Sequence, residues 1–168
     1  LKTISIEQDG SFKDTLEVPK ADIYTFQTSR EKRAPIYLKN GFNISIKGDA
    51  DKFMTSFEFS GTGSSNTKFI VAQLGKSKSL GNPADILALE KKAFTTKMSL
   101  LKKEYDSILS SYNDLDSSLV DMATKQNLQM FDYFEKTYDT DESILDYIKS
   151  FRKIKYFDLF PMHHYLLL

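Results

Sequence analysis

The chain has 168 residues, and its 23 basic and 23 acidic side chains cancel to a formal net charge of zero, so it lacks the positive field with which a protein neutralises many phosphates, and nucleic acid is not an expected partner. Cysteine is absent, which excludes a disulfide, a Cys-x-x-Cys redox pair, a zinc–thiolate site and a thiol nucleophile within these residues. No apolar run approaches the ~20 residues needed to span a bilayer, and no leader pattern is present, so the chain reads as soluble; a start at Leu1 and an apolar end at Leu166-Leu167-Leu168 read as a piece of a longer protein.

From Lys2 to Phe59 the apolar residues alternate with period two. Ile4 and Ile6 are interleaved with Thr3, Ser5 and Glu7, and Phe12, Leu16 and Val18 follow in a second run, the pattern of half-buried strands. Asp9-Gly10 between these runs is a hairpin signal, because glycine tolerates the positive φ of a tight primed turn. Ile23 to Phe26 reads as a further strand. Asn40-Gly41 separates Ile36-Tyr37-Leu38 from Phe42, Ile44 and Ile46, and Ser56 to Phe59 closes the set. About six short strands with regularly spaced turns predict an antiparallel β-sandwich or curled sheet.

After Gly61 the spacing becomes helical. Ser64, Ser65 and Asn66 supply acceptors for a helix start, and Gly75 is the expected stop. Asn82-Pro83 marks a second start, with Asn as cap and Pro where its missing N–H costs nothing. Phe94, Met98, Leu101, Tyr105, Ile108 and Tyr112 then recur at steps of four and three, which predicts one helix of about thirty residues from Pro83 to Tyr112, ~45 Å long. Such a helix needs a partner, either a neighbouring helix or a second copy as a dimerisation arm. Asp116 is placed to cap a helix with Leu119, Ala123, Met130, Phe131 and Phe134 on one side, and Thr140 to cap another carrying Ile144, Ile148 and Phe151. The fold class is therefore α+β, with a β-rich domain over 1–75 that ends in a short helix and a helical bundle or hairpin over 82–168, packed on the first as one unit.

Few residues in this pattern carry chemistry. Gly61-Thr62-Gly63-Ser64-Ser65-Asn66 lies between a strand and a helix, the context in which backbone amides cradle an anion. It lacks the third glycine of a dinucleotide fingerprint and the Gly-Lys-Ser/Thr of a P-loop, so a turn with a helix cap is the plainer reading. Gly61, Gly63, Ser64, Ser65 and Asn66 are kept as the candidate ligand or anion loop. The adjacent His163 and His164 point in different directions on any regular element and chelate one metal poorly. Asp139-Thr140-Asp141-Glu142 lacks the mid-loop glycine and closing glutamate of a calcium loop, and acidic residues in a first helical turn account for it better. Lys91-Lys92 and Lys102-Lys103 read as a solvated helix face. No cofactor, metal or catalytic residue is expected.

Three stretches nevertheless resemble a known family. Asp9-Gly10-Ser11-Phe12-Lys13-Asp14-Thr15-Leu16, then Pro35-Ile36-Tyr37-Leu38-Lys39-Asn40-Gly41-Phe42-Asn43-Ile44-Ser45-Ile46, then Phe57-Glu58-Phe59-Ser60-Gly61-Thr62-Gly63-Ser64-Ser65-Asn66 are similar, in motif order, to the amino-terminal region of thioredoxin-like thiol-disulfide oxidoreductases of the Bacteroidetes cell envelope. In that family a β-rich domain and a helical segment precede a thioredoxin fold. The resemblance implies a location outside the cytoplasm, a lipoprotein anchor in the parent protein, and a downstream thioredoxin domain or another envelope protein as partner. The family's Trp-Cys-x-x-Cys segment is absent here, so no catalytic residue carries over. A stand-alone domain that binds a glycan or peptide is the alternative.

Overall fold

The computed structural model describes residues 2–53, 55–138 and 164–167. They form a mixed α and β structure in the order β1 (Lys2–Thr3), β2 (Asp22–Gln27), β3 (Arg33–Leu38), β4 (Asn43–Lys47), β5 (Glu58–Thr62), α1 (Ser64–Ser79), α2 (Pro83–Leu87), α3 (Lys91–Ser110), α4 (Ser117–Tyr138) and β6 (His164–Leu167). The described residues divide into two compact units. One holds 2–71, 114–116 and 164–167, and the other holds 72–113 and 117–138, so that α1 contributes its first half to one unit and its second half to the other.

In the β-rich unit the strands form a four-stranded sheet in the order β1-β6-β2-β3 and a separate two-stranded sheet of β4 and β5. The pairings β2–β3 and β4–β5 are antiparallel. β6 runs parallel to both β1 and β2, which corrects the expectation of an all-antiparallel set drawn from the first sixty residues. A parallel neighbour needs a long connection, and β6 comes from more than a hundred residues away in sequence.

The register pairs Tyr24 with Ile36 and Phe26 with Ala34, and paired residues share a face of the sheet. Tyr24, Phe26, Ile36 and Val18 make the buried centre of a cluster, against which Phe12, Leu16, Leu38, Ile44, Ile46, Phe53 and Phe57 pack. Phe53 and Phe57 meet edge to face at 4.6 Å, and Phe57 stands edge-on to Phe26 at 5.9 Å, arrangements favoured by the ring quadrupole. The period-two pattern thus identified core residues correctly in places where no strand forms. Residues 11–18 are not a strand. The side-chain amide of Asn40 replaces a ladder there, accepting from Val18 N at 2.9 Å and donating to Val18 O at 3.0 Å. The turn expected at Asp9-Gly10 is present, closed by Glu7 N to Ser11 O at 2.8 Å with Gly10 at φ 82°. β1 stops at Thr3, which leaves Ile4 buried and Ile6 49% exposed.

In the helical unit two expectations are corrected. α1 does not stop at Gly75 but runs on to Ser79, because a glycine in a helix interior costs only about 1 kcal/mol and does not terminate it. The single helix expected from Pro83 to Tyr112 is two helices. Asn82 caps α2 as its sequence implied, accepting from Ala84 N at 3.0 Å, but the helix ends at Leu87 and Glu90 is extended, at φ −55° and ψ 146°. The carbonyl of Leu89 in this break accepts a hydrogen bond from the Tyr138 phenol at 2.8 Å, which satisfies a group that the helix would otherwise have used. The Tyr138 ring stacks on Phe94 with centroids 3.8 Å apart. The apolar stripe of α3, Phe94, Met98, Leu101 and Tyr105, is buried in one cluster with Phe131 and Phe134 of α4 and with Leu80, Ile86 and Leu87. Ser77 and the Tyr105 hydroxyl share a buried hydrogen bond of 2.8 Å. The helix start expected at Thr140 lies outside the described residues.

Candidate functional site

The candidate loop lies where β5 runs into α1. Gly61 and Gly63 both adopt the left-handed region, at φ 87° and 89°, which L side chains rarely enter. At both the requirement is double, because a β-carbon would also run into the backbone carbonyl of Asn43 at Gly61 and into the Phe42 ring at Gly63. Asn66 N bonds Gly63 O at 3.2 Å, and the Asn66 carboxamide donates to the same carbonyl at 3.0 Å. Ser64 and Asn66 are buried, whereas Ser65 is half-buried.

The polar groups of this turn meet residues that the sequence pattern had not associated with it. Ser65 Oγ donates to Asp114 Oδ2 at 3.0 Å. Asn66 Oδ1 accepts from Asp116 N at 2.7 Å. The next residue, Thr67, accepts from Tyr37 N at 3.0 Å, which satisfies an outward-facing amide on edge strand β3. The Asp116 carboxylate closes the circuit, with one oxygen 2.9 Å from the Tyr37 hydroxyl and the other 2.6 Å from Lys39 Nζ. The Asp116 side chain is only 5% exposed, against 49% for Lys39. Burial, followed by the hydrogen bond to Asp116 and the negative charges of Asp116 and Asp22, raises the Tyr37 phenol well above its ordinary value. Asp22 is itself paired with Lys20 at 2.6 Å.

The turn therefore presents one hydroxyl, that of Ser65, to the carboxylate of Asp114 and one carbonyl oxygen, that of Asn66, to the backbone N–H of Asp116, so its polar groups are engaged by the chain's own residues 114–116. Sequence reasoning had placed Asp116 only as a helix cap and Tyr37 only as a strand aromatic. No local spacing could join them, because they are 79 positions apart.

Elsewhere in the β-rich unit, an open groove of about 490 Å³ is lined by Thr3, Ser5, Glu7, Ser11, Phe12, Lys13 and Asp14. Asp14 there pairs with Lys2 at 3.1 Å and accepts from Thr15 N, and both Asp9 and Asp14 are lowered from the usual carboxylate value, chiefly by hydrogen bonds from Ser11 and Lys2 respectively. In the helical unit Lys102 pairs with Glu135 at 2.6 Å and lies over the Phe131 ring, while Lys91 lies over the Tyr138 ring. Among the described residues no group of three or more His, Asp or Glu side chains is placed to hold a metal ion, and no helix is long and apolar enough to cross a membrane. His164 opens β6; His163 and the run Asp139 to Glu142 lie outside the described residues. No family model, curated protein or solved structure matches this chain.

Proposed function

We propose that this chain is a non-catalytic accessory or interaction domain of a cell-envelope thioredoxin-like protein, carried outside the cytoplasm, lipid-anchored in its parent, and serving a redox domain that supplies the cysteines this chain lacks. The observation that supports this reading is the use made of the Gly61–Asn66 turn. Its hydroxyl and carboxamide groups, together with Tyr37, Lys39 and Asp116, hold one another in place rather than converging on an open cleft, as a scaffold's residues do. The β-rich half is a small two-layer sandwich in this reading, with the β4–β5 ribbon supplying its second layer. The test is the coding sequence beyond Leu168 and the behaviour of its product. A Cys-x-x-Cys thioredoxin domain whose choice of disulfide clients changes when residues 1–168 are deleted supports the proposal, and a stop codon directly after Leu168 sinks it.

A second reading, a glycan- or peptide-binding domain, is favoured by the open groove whose lining includes Phe12 together with Thr3, Ser5 and Ser11, residue types that supply the apolar contact and hydroxyl partners that sugar rings and peptides use. The Gly61, Gly63, Ser64, Ser65 and Asn66 turn is its other contact surface. Binding on a glycan or peptide array that disappears in Phe12→Ala or Ser65→Ala supports this reading; no binding above background at millimolar ligand removes it.

A further inference from the structure

We infer that residues 114–116 form an acid-releasable strap, fastened on the β-rich unit through the charge of Asp116. They link α3 to α4, yet they belong to the β-rich unit while those helices belong to the other. Four side chains from two separate stretches of sequence fix them: Tyr37 and Lys39 at the end of β3, and Ser65 and Asn66 at the start of α1. Tyr37 and Lys39, donors to the Asp116 carboxylate, differ in what they tolerate. An ammonium donates only, so a protonated carboxyl loses its charge attraction for Lys39 and can keep that contact only with its proton on the oxygen facing Tyr37, whose phenol can donate or accept. Charge-assisted bonds are also about twice as strong as neutral ones. Protonation at Asp116 therefore removes the charge-assisted part of the fastening and leaves weaker, neutral contacts, among them the bonds at Tyr37 and Asn66. Among the described residues, further charges near the site are Asp22 of β2, held by Lys20, and Asp114 within the strap itself, and the α1 side chains that fasten the strap, Ser65 and Asn66, are neutral.

The experiment follows the full chain by NMR from neutral pH to the acid range in which carboxyls titrate, reading the Asp116 side-chain carboxyl together with the backbone amides of Asp116 and Tyr37. The expected result is that both amides shift in step with the carboxyl, and that their hydrogen-exchange protection, corrected for intrinsic rate, falls at least about tenfold over the same interval. Asp116→Asn is expected to exchange fast at every pH, and Asp114→Asn to keep the wild-type pH dependence. Lys39→Met, which deletes the favourable charge and leaves Tyr37 intact, is expected to move the transition to higher pH, and it serves if Asp116→Asn does not fold. Protection that stays constant while Asp116 titrates, an unchanged pH dependence in Asp116→Asn, or a transition unmoved in Lys39→Met would overturn the inference.

Discussion

The phenol of Tyr37 donates to the carboxylate of Asp116 at 2.9 Å across 79 positions of sequence, with the Tyr37 residue 1% exposed and the Asp116 side chain 5%. A buried hydrogen bond to an ionised group contributes about 1.5–3 kcal/mol. Tyr37→Phe keeps the ring that packs against Phe42 and removes only the hydroxyl. The expected loss is therefore in that range, read as a lowered urea midpoint with an unchanged slope. A loss below about 0.5 kcal/mol would mean that the carboxylate finds an equal partner elsewhere.

The same tyrosine governs behaviour at high pH. Its phenol is raised from the ordinary value of 10.0, first by burial and then by Asp116, and Tyr105 is raised by burial in the helical unit. Below pH about 10 the folded and unfolded chains both keep these protons, so the shifts leave stability independent of pH. Above it the unfolded chain releases them while the folded chain retains them, and stability falls as pH rises. The check is a spectrophotometric tyrosine titration beside alkaline unfolding curves. Tyr37→Phe and Tyr105→Phe are each expected to flatten the alkaline decline, and an equally steep decline in both would contradict the assignment.

Two glycines should respond to alanine with opposite sign. Gly75 lies inside α1 with open space around its α-carbon, and replacing a helix-interior glycine by alanine contributes about 0.5–1 kcal/mol of stability. Gly63 sits at φ 89° with the Phe42 ring where a β-carbon would go. Gly63→Ala is expected to cost more than about 1 kcal/mol through strain and displacement of that ring. Thermal melts of the two variants decide it, and a shift of the same sign in both would argue against the described turn.

The adjacent leucines of α3 make a similar pair. Leu101 is 1% exposed and lies within the helical cluster, whereas Leu100 is 53% exposed. Leu101→Ala is expected to cost about 2–5 kcal/mol, the price of a lost side chain plus the cavity it leaves. Leu100→Ala should stay within about 0.5 kcal/mol of wild type. Comparable losses in denaturant melts would mean that Leu100 is covered by something, such as a second copy of the chain.

Sequence alone determined the shift from period two to helical spacing after Gly61, the turns at Asp9-Gly10 and Asn40-Gly41, the cap at Asn82, and the identity of the core residues from Phe12 to Ile46 and from Phe94 to Phe134. Each of these rests on local geometry: the φ a glycine can adopt, the reach of a capping carboxamide, and the face on which alternate side chains emerge. Only the tertiary structure decided that Asn40 pairs with the backbone of Val18 in place of a strand ladder, that Tyr138 satisfies the break before α3, that β6 enters the sheet between β1 and β2, and that Asp114 and Asp116 meet the Gly61–Asn66 turn. Those arrangements join residues from 22 to well over a hundred positions apart. Chain folding sets their proximity, and the polar groups left over by local structure then find partners because leaving them buried and unpaired costs more than distant residues lose by being ordered together.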